Sequence, residues 1–144
     1  LSFVYLGIYW NNHHHMMVLT ERVNGKILWA NLHLLFWLSL IPFTTAWMGE
    51  NDFAEVPTAL YGADLLLAAI AYFILQTAII AEEGPDSRLR AAIGRDLKGK
   101  VSPLLYLVAI PLAFVSPWIA LAFYVLVALI WLVPDRRIES AVSE

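Results

Sequence analysis

The side chains with the most chemistry to offer stand together at residues 9–17, Tyr-Trp-Asn-Asn-His-His-His-Met-Met, where the apolar run 1–10 ends. Histidine can ligate a metal, move a proton or bridge two helices, and spacing decides among these. Three consecutive His on a helix project ~100° apart, so they cannot all grip one ion. His13 and His14 can share a face with Trp10 and Met17, while His15 points elsewhere. No His-x-x-x-His or Glu-x-x-His pair accompanies them, and the nearby acids belong to loops. Hydrogen-bonded packing of His13, His14 and His33 against another helix is therefore the plainer role, and a metal site is disfavoured. The absence of cysteine from the 144 residues excludes thiolate metal sites, disulfides and Cys nucleophiles. No cofactor and no enzymatic activity are expected.

A second chemical feature is Asp64, the one acid well inside an apolar run, about two turns past Pro57. An unpaired carboxylate at full membrane depth costs ~3 kcal/mol or more, which makes Asp64 a candidate for an ion-related role. Gly62, with Ala59 and Ala63 on the same segment, indicates close helix packing.

The elements that must position these groups follow from composition. Sixty per cent apolar and 15% charged residues lie outside the soluble balance, and the charges sit in short segments between long apolar blocks. A β-barrel would show alternating segments instead. The net charge of −3 comes with no separate basic patch, so nucleic acid is not an expected partner. The fold class is all-α: a polytopic helical membrane protein, one domain over 1–144, embedded in the lipid bilayer. Five transmembrane helices are expected at about 1–19, 27–48, 57–81, 101–115 and 117–133. The run 101–133 is too long for one span and is broken by Ser116-Pro117, a helix-start signal.

Charge then fixes the expected orientation. All nine Lys and Arg fall in 20–26, 82–100 or the tail after Pro134, which five spans place on one side. The opposite side holds the acidic loop 49–56 and the tight turn at Ser116. The positive-inside asymmetry makes the basic loops and the C-terminus cytoplasmic. The outer end of the first segment then calls for a preceding span, giving six with both termini inside. Opening within an apolar run and without an initiator Met, the chain reads as an internal piece. Within 86–99, Leu89, Ala92, Ile93 and Leu97 share a face, as in a short interfacial helix whose cations meet anionic headgroups. In the second segment Asn31, Leu35, Leu38, Pro42, Thr45 and Gly49 form one stripe suited to close helix contact. Pro42 removes a backbone donor and predicts a kink there. Trp29 and Trp47 stand near opposite ends of that segment, where an interface belt wants them.

The sequence Ile8-Tyr-Trp-Asn-Asn-His-His, followed by Asn31-Leu-His-Leu-Leu-Phe-Trp and Leu40-Ile-Pro-Phe-Thr-Thr-Ala-Trp-Met-Gly-Glu, resembles the prokaryotic branch of the endolysosomal potassium-channel family, the transmembrane protein 175 family. The likeness is specific across 1–51 and general beyond it. It implies a homotetramer of six-helix subunits in a prokaryotic cell membrane, conducting potassium and related monovalent cations. It also implies a pore lined by the first helix of each subunit, whose Arg…Phe-Ser-Asp motif is held by polar and aromatic groups of later helices. By motif position, Trp10, Asn11, His13, His14, Asn31, His33 and Trp37 are the candidates for that holding role. The pore helix would precede Leu1, so no pore-lining residue is named in this chain. Two readings from other classes stand beside this one: a non-conducting membrane scaffold or assembly protein, and a His-metal membrane enzyme.

Overall fold

The computed structural model describes residues 2–18, 24–83 and 97–132. Its elements are α1 (Ser2–Val18), α2 (Gly25–Glu50), α3 (Glu55–Glu83), α4 (Leu97–Leu112) and α5 (Pro117–Leu132), with no strand among the described residues. Most of the cationic loops, the segment 84–96 and the tail after residue 132 lie outside them. The expected interfacial helix does too, apart from residues 97–99, which begin α4.

Local chemistry sets the helix ends. Asn24 caps α2 by accepting the Ile27 N–H at 2.9 Å, and its amide donates to Glu82 at 2.7 Å. The start of α2 is thereby tied to the end of α3, and a short turn joins their other ends. That turn places two non-glycine residues in the left-handed region, Asp52 (φ 52°) and Phe53 (φ 58°). Such a conformation costs ~1–3 kcal/mol per residue for a side chain with a Cβ. Here the Phe53 N–H reaches the Met48 carbonyl at 2.9 Å, and the Phe53 ring packs on Trp118 of α5 at 5.3 Å.

Among the described residues two helices, α2 and α3, are long and apolar enough to cross a membrane. The five-span expectation outruns the lengths of the rest. α1 has 17 residues, α4 and α5 have 16 each. At ~1.5 Å per residue these reach ~24–26 Å, short of a ~30 Å hydrocarbon core. The run 101–133 does divide into two helices, with the turn at 113–116, so α4 ends three residues before the expected boundary.

Helix α2 continues as helix through Pro42, which is exposed. Its buried stripe is Ile27, Ala30, Leu34, Ile41 and Met48 rather than the expected Asn31–Gly49 set. The large apolar side chains take the interior; Asn31, Leu38 and Thr45 lie at its edge, while Leu35, Pro42 and Gly49 face outward. Trp29 and Trp47 are exposed near opposite ends of α2, as an interface belt requires.

In the core, aromatic hydroxyls join α1, α3, α4 and α5. Tyr5, Tyr61, Tyr106 and Tyr124 are fully buried and lie in one cluster, edge-on or tilted to one another, with centroids 5.5–6.2 Å apart in the contacting pairs. Tyr5 donates to the Tyr124 carbonyl, and Tyr124 donates to the Thr58 carbonyl at 2.9 Å. Ala109, Ala113, Ala120 and Ala128 let the backbones approach around these rings. The outer surface carries Phe3, Trp29, Phe43, Val115 and Trp118. An apolar outer surface, with the buried hydroxyls bonded inside the protein, is the distribution a bilayer demands.

Gly62 is required here. A Cβ at that position would collide with the Tyr124 hydroxyl. Gly62→Ala should therefore cost ~1–3 kcal/mol in thermal or denaturant unfolding, by driving Tyr124 off the Thr58 carbonyl. Adding Tyr124→Phe, which removes the oxygen nearest the new methyl, should recover part of that loss. Strictly additive losses would show the contact is not the cause.

Candidate functional site

Helix α1 presents two faces. Tyr5, Ile8, Asn12 and Met16 recur at steps of three and four and are buried. Trp10 and His14, one turn apart, are exposed, and their rings stack with centroids 5.3 Å apart and an 8° interplanar angle. His13 lies between the faces, half-buried, with Nε2 2.6 Å from Asn31 Oδ1 on α2. An amide oxygen only accepts, so Nε2 carries the proton and His13 donates across the α1–α2 contact. On α2, Trp37 Nε1 donates to His33 Nε2 at 2.9 Å, with the rings edge-on. The acceptor in that pair is His33 Nε2.

The candidates named from sequence therefore resolve into three pairs: Trp10 with His14, His13 with Asn31, and Trp37 with His33. Only His13–Asn31 joins two helices. The other two pairs are exposed or half-exposed and present aromatic and imidazole edges outward from α1 and α2. Asn11 is half-buried on α1. Among the described residues no group of three or more His, Asp or Glu converges as a metal site would need.

Sequence reasoning missed Asn12. It is 3% exposed, and its amide donates to the Ile8 carbonyl at 2.9 Å and reaches the Trp131 carbonyl of α5 at 3.4 Å. Its own carbonyl accepts the Tyr72 hydroxyl of α3 at 3.3 Å. The side chain also borders a cavity of about 30 Å³ lined by Tyr5, Tyr9, Tyr72, Tyr106 and Trp131, room for roughly two water molecules. The signal was present: Asn12 falls on the Tyr5–Ile8–Met16 stripe, and Asn11 does not.

Asp64 is buried on α3. Its Oδ2 lies 3.2 Å from Thr44 Oγ1 of α2, and its Oδ1 has no hydrogen-bond partner.

Comparison with known proteins adds a relationship to this geometry. The family described as endosomal/lysosomal potassium channel TMEM175 matches residues 1–42. The chain is 54% identical over 143 residues to a protein named potassium channel HX13_20290 from Chryseobacterium sp. (strain P1-3), covering 99% of this chain and 74% of that relative. It is 27% identical over 144 residues to potassium channel B446_29190 from Streptomyces collinus, covering 90% of this chain and 66% of the relative. It is 30% identical over 128 residues to potassium channel Cha6605_3372 from Chamaesiphon minutus, covering 83% of this chain and 62% of the relative. No solved structure matches the chain.

The His13–Asn31 bond should show energetic coupling between α1 and α2. In a double-mutant cycle, His13→Ala and Asn31→Ala should share about 1 kcal/mol of their unfolding cost, so that the double variant loses less than the sum. Additive costs would show the contact contributes nothing.

Proposed function

The chain belongs to the endosomal/lysosomal potassium channel (TMEM175) family and is a subunit of an ion channel, not an enzyme; from that premise we propose that α1 and α2 form the seat of a pore-lining helix. One observation carries this reading. The seven candidate residues, Trp10 to Trp37, all fall inside the 1–42 stretch that matches the family, and four of them, Trp10, His14, His33 and Trp37, are exposed or half-exposed and place aromatic and imidazole groups on the outward side of α1 and α2. A helix bearing an Arg and a Phe-Ser-Asp motif needs such partners inside a membrane, because its polar groups must be satisfied by protein. No Phe-Ser-Asp occurs in the 144 residues.

The finer architecture belongs to the same proposal. The subunit has six spans with its basic loops and C-terminus in the cytoplasm, and α1, α4 and α5 cross as short helices. Four subunits surround a pore for potassium, with the seat fixing the inward face of each pore helix. The one-sided placement of all nine Lys and Arg supports the orientation.

The test uses the complete protein in potassium-loaded liposomes. His13→Ala and His33→Ala should each reduce potassium flux roughly five- to tenfold, the equilibrium value of losing one good hydrogen bond, and lower the yield of tetramer. Wild-type flux and a wild-type tetramer from both variants would overturn the proposal.

A further inference from the structure

We propose that Asp64 is a proton-binding site: its carboxyl holds a proton on Oδ2 and donates it to Thr44 Oγ1, bracing α2 against α3. The proposal deepens the seat reading and rests on α2 and α3 being membrane spans, since α2 carries Asn31, His33 and Trp37 as well as Thr44.

Donor counting assigns the proton. A threonine hydroxyl has one hydrogen to give. Thr44 Oγ1 has three acceptors around it at the same 3.2 Å: the Leu40 carbonyl, the Ile41 carbonyl and Asp64 Oδ2. Its neighbour Thr45 gives its hydrogen to the Ile41 carbonyl at 2.6 Å, so backbone donation is the local pattern on this turn. With Thr44 doing likewise, its Oγ1 lone pairs are free to accept, and the atom facing them is Asp64 Oδ2.

The surroundings agree. Asp64 is 5% exposed. The groups that face it are Thr44 from α2, Tyr9 from α1 and Tyr61 from α3 itself, all neutral. No cation among the described residues stands beside it. As a carboxylate, Asp64 would keep a full charge in the bundle with at most one hydrogen bond and with Oδ1 unpartnered. As an acid it has a donor with an acceptor, and the unpartnered Oδ1 is only a neutral carbonyl oxygen, far cheaper to leave unmet. Losing that proton would set an uncompensated charge between α3 and the helix that carries half of the seat.

The experiment is infrared difference spectroscopy on the complete protein in membranes at neutral pH, wild type minus Asp64→Asn. A protonated carboxylic C=O band should be present in the wild type, absent from the variant, and shifted in Thr44→Val, which removes the acceptor. Asp64→Asn, whose amide can still donate to Thr44, should keep the wild-type melting temperature. Asp64→Leu, which cannot donate, should melt roughly 3–6 °C lower. A carboxylate band in place of the acid band, or Asp64→Asn behaving like Asp64→Leu, would overturn the proposal. The band is read without ion flux, so failure of the seat would leave it unchanged.

Discussion

Tyr124 is where four of the five helices meet. From α5 its carbonyl accepts the Tyr5 hydroxyl of α1, its own hydroxyl donates to the Thr58 carbonyl of α3, and its ring contacts Tyr106 of α4. None of these groups can turn to water, because each lies inside a bundle whose outer surface is apolar. A phenol so placed must find an acceptor within the protein or cost ~1–3 kcal/mol. Few arrangements of the helices meet that demand. Gly62 shows how tightly it is met, since the Tyr124 hydroxyl occupies the space a Cβ would fill. Register between α3 and α5 is thus set by a polar atom rather than by apolar bulk.

The same requirement explains how α1 is held. It shares few backbone approaches with its neighbours and is instead pinned along its length: Tyr5 to α5, Asn12 to α5 and α3, His13 to α2. In lipid, apolar side chains gain little by leaving one hydrocarbon for another, so directional bonds and close packing carry association. Pins of about 1 kcal/mol each can orient a short helix while leaving one of its faces uncovered. That uncovered face carries Trp10 and His14.

How much of this could be read from the sequence depended on the physics each residue reports. Helix class and the α4–α5 break were legible because hydrophobic blocks and a Ser-Pro start signal act locally. The close packing at Gly62 was legible because small residues inside a span have few other uses. His13 and Asn31, His33 and Trp37 were legible through a motif, but their pairing was not, because hydrogen-bond partners depend on which faces meet. Asn12 escaped because its neighbour has the same side chain and only the helix phase tells them apart. The stripe on α2 was misplaced by one position for a related reason. Small and polar residues marked a plausible contact face, but the larger Ile and Leu side chains fill the interior. Helix lengths also ran differently from the apolar runs, since turns at 113–116 and 51–54 are set by backbone bonds, not by hydropathy.

Asp64 and His13 illustrate one rule applied twice. Each is an ionisable group held by a single oxygen partner on α2, and in each the partner dictates where the proton resides. Asn31 Oδ1 can only accept, so His13 must donate through Nε2. Thr44 can donate or accept, and the backbone carbonyls at Leu40 and Ile41 compete for its hydrogen. The first case puts a hydrogen on Nε2, whereas the second leaves a choice that the apolar surroundings make. Because Thr44 and Asn31 belong to the same helix, the protonation of Asp64 and the donor at His13 act on one rigid element. A charge created at one end of that element must be accommodated by movement or by solvent, and the buried stripe Ile27–Met48 admits neither without loosening the α2–α3 contact. The His13–Asn31 and Asp64–Thr44 contacts thus share one helix, α2.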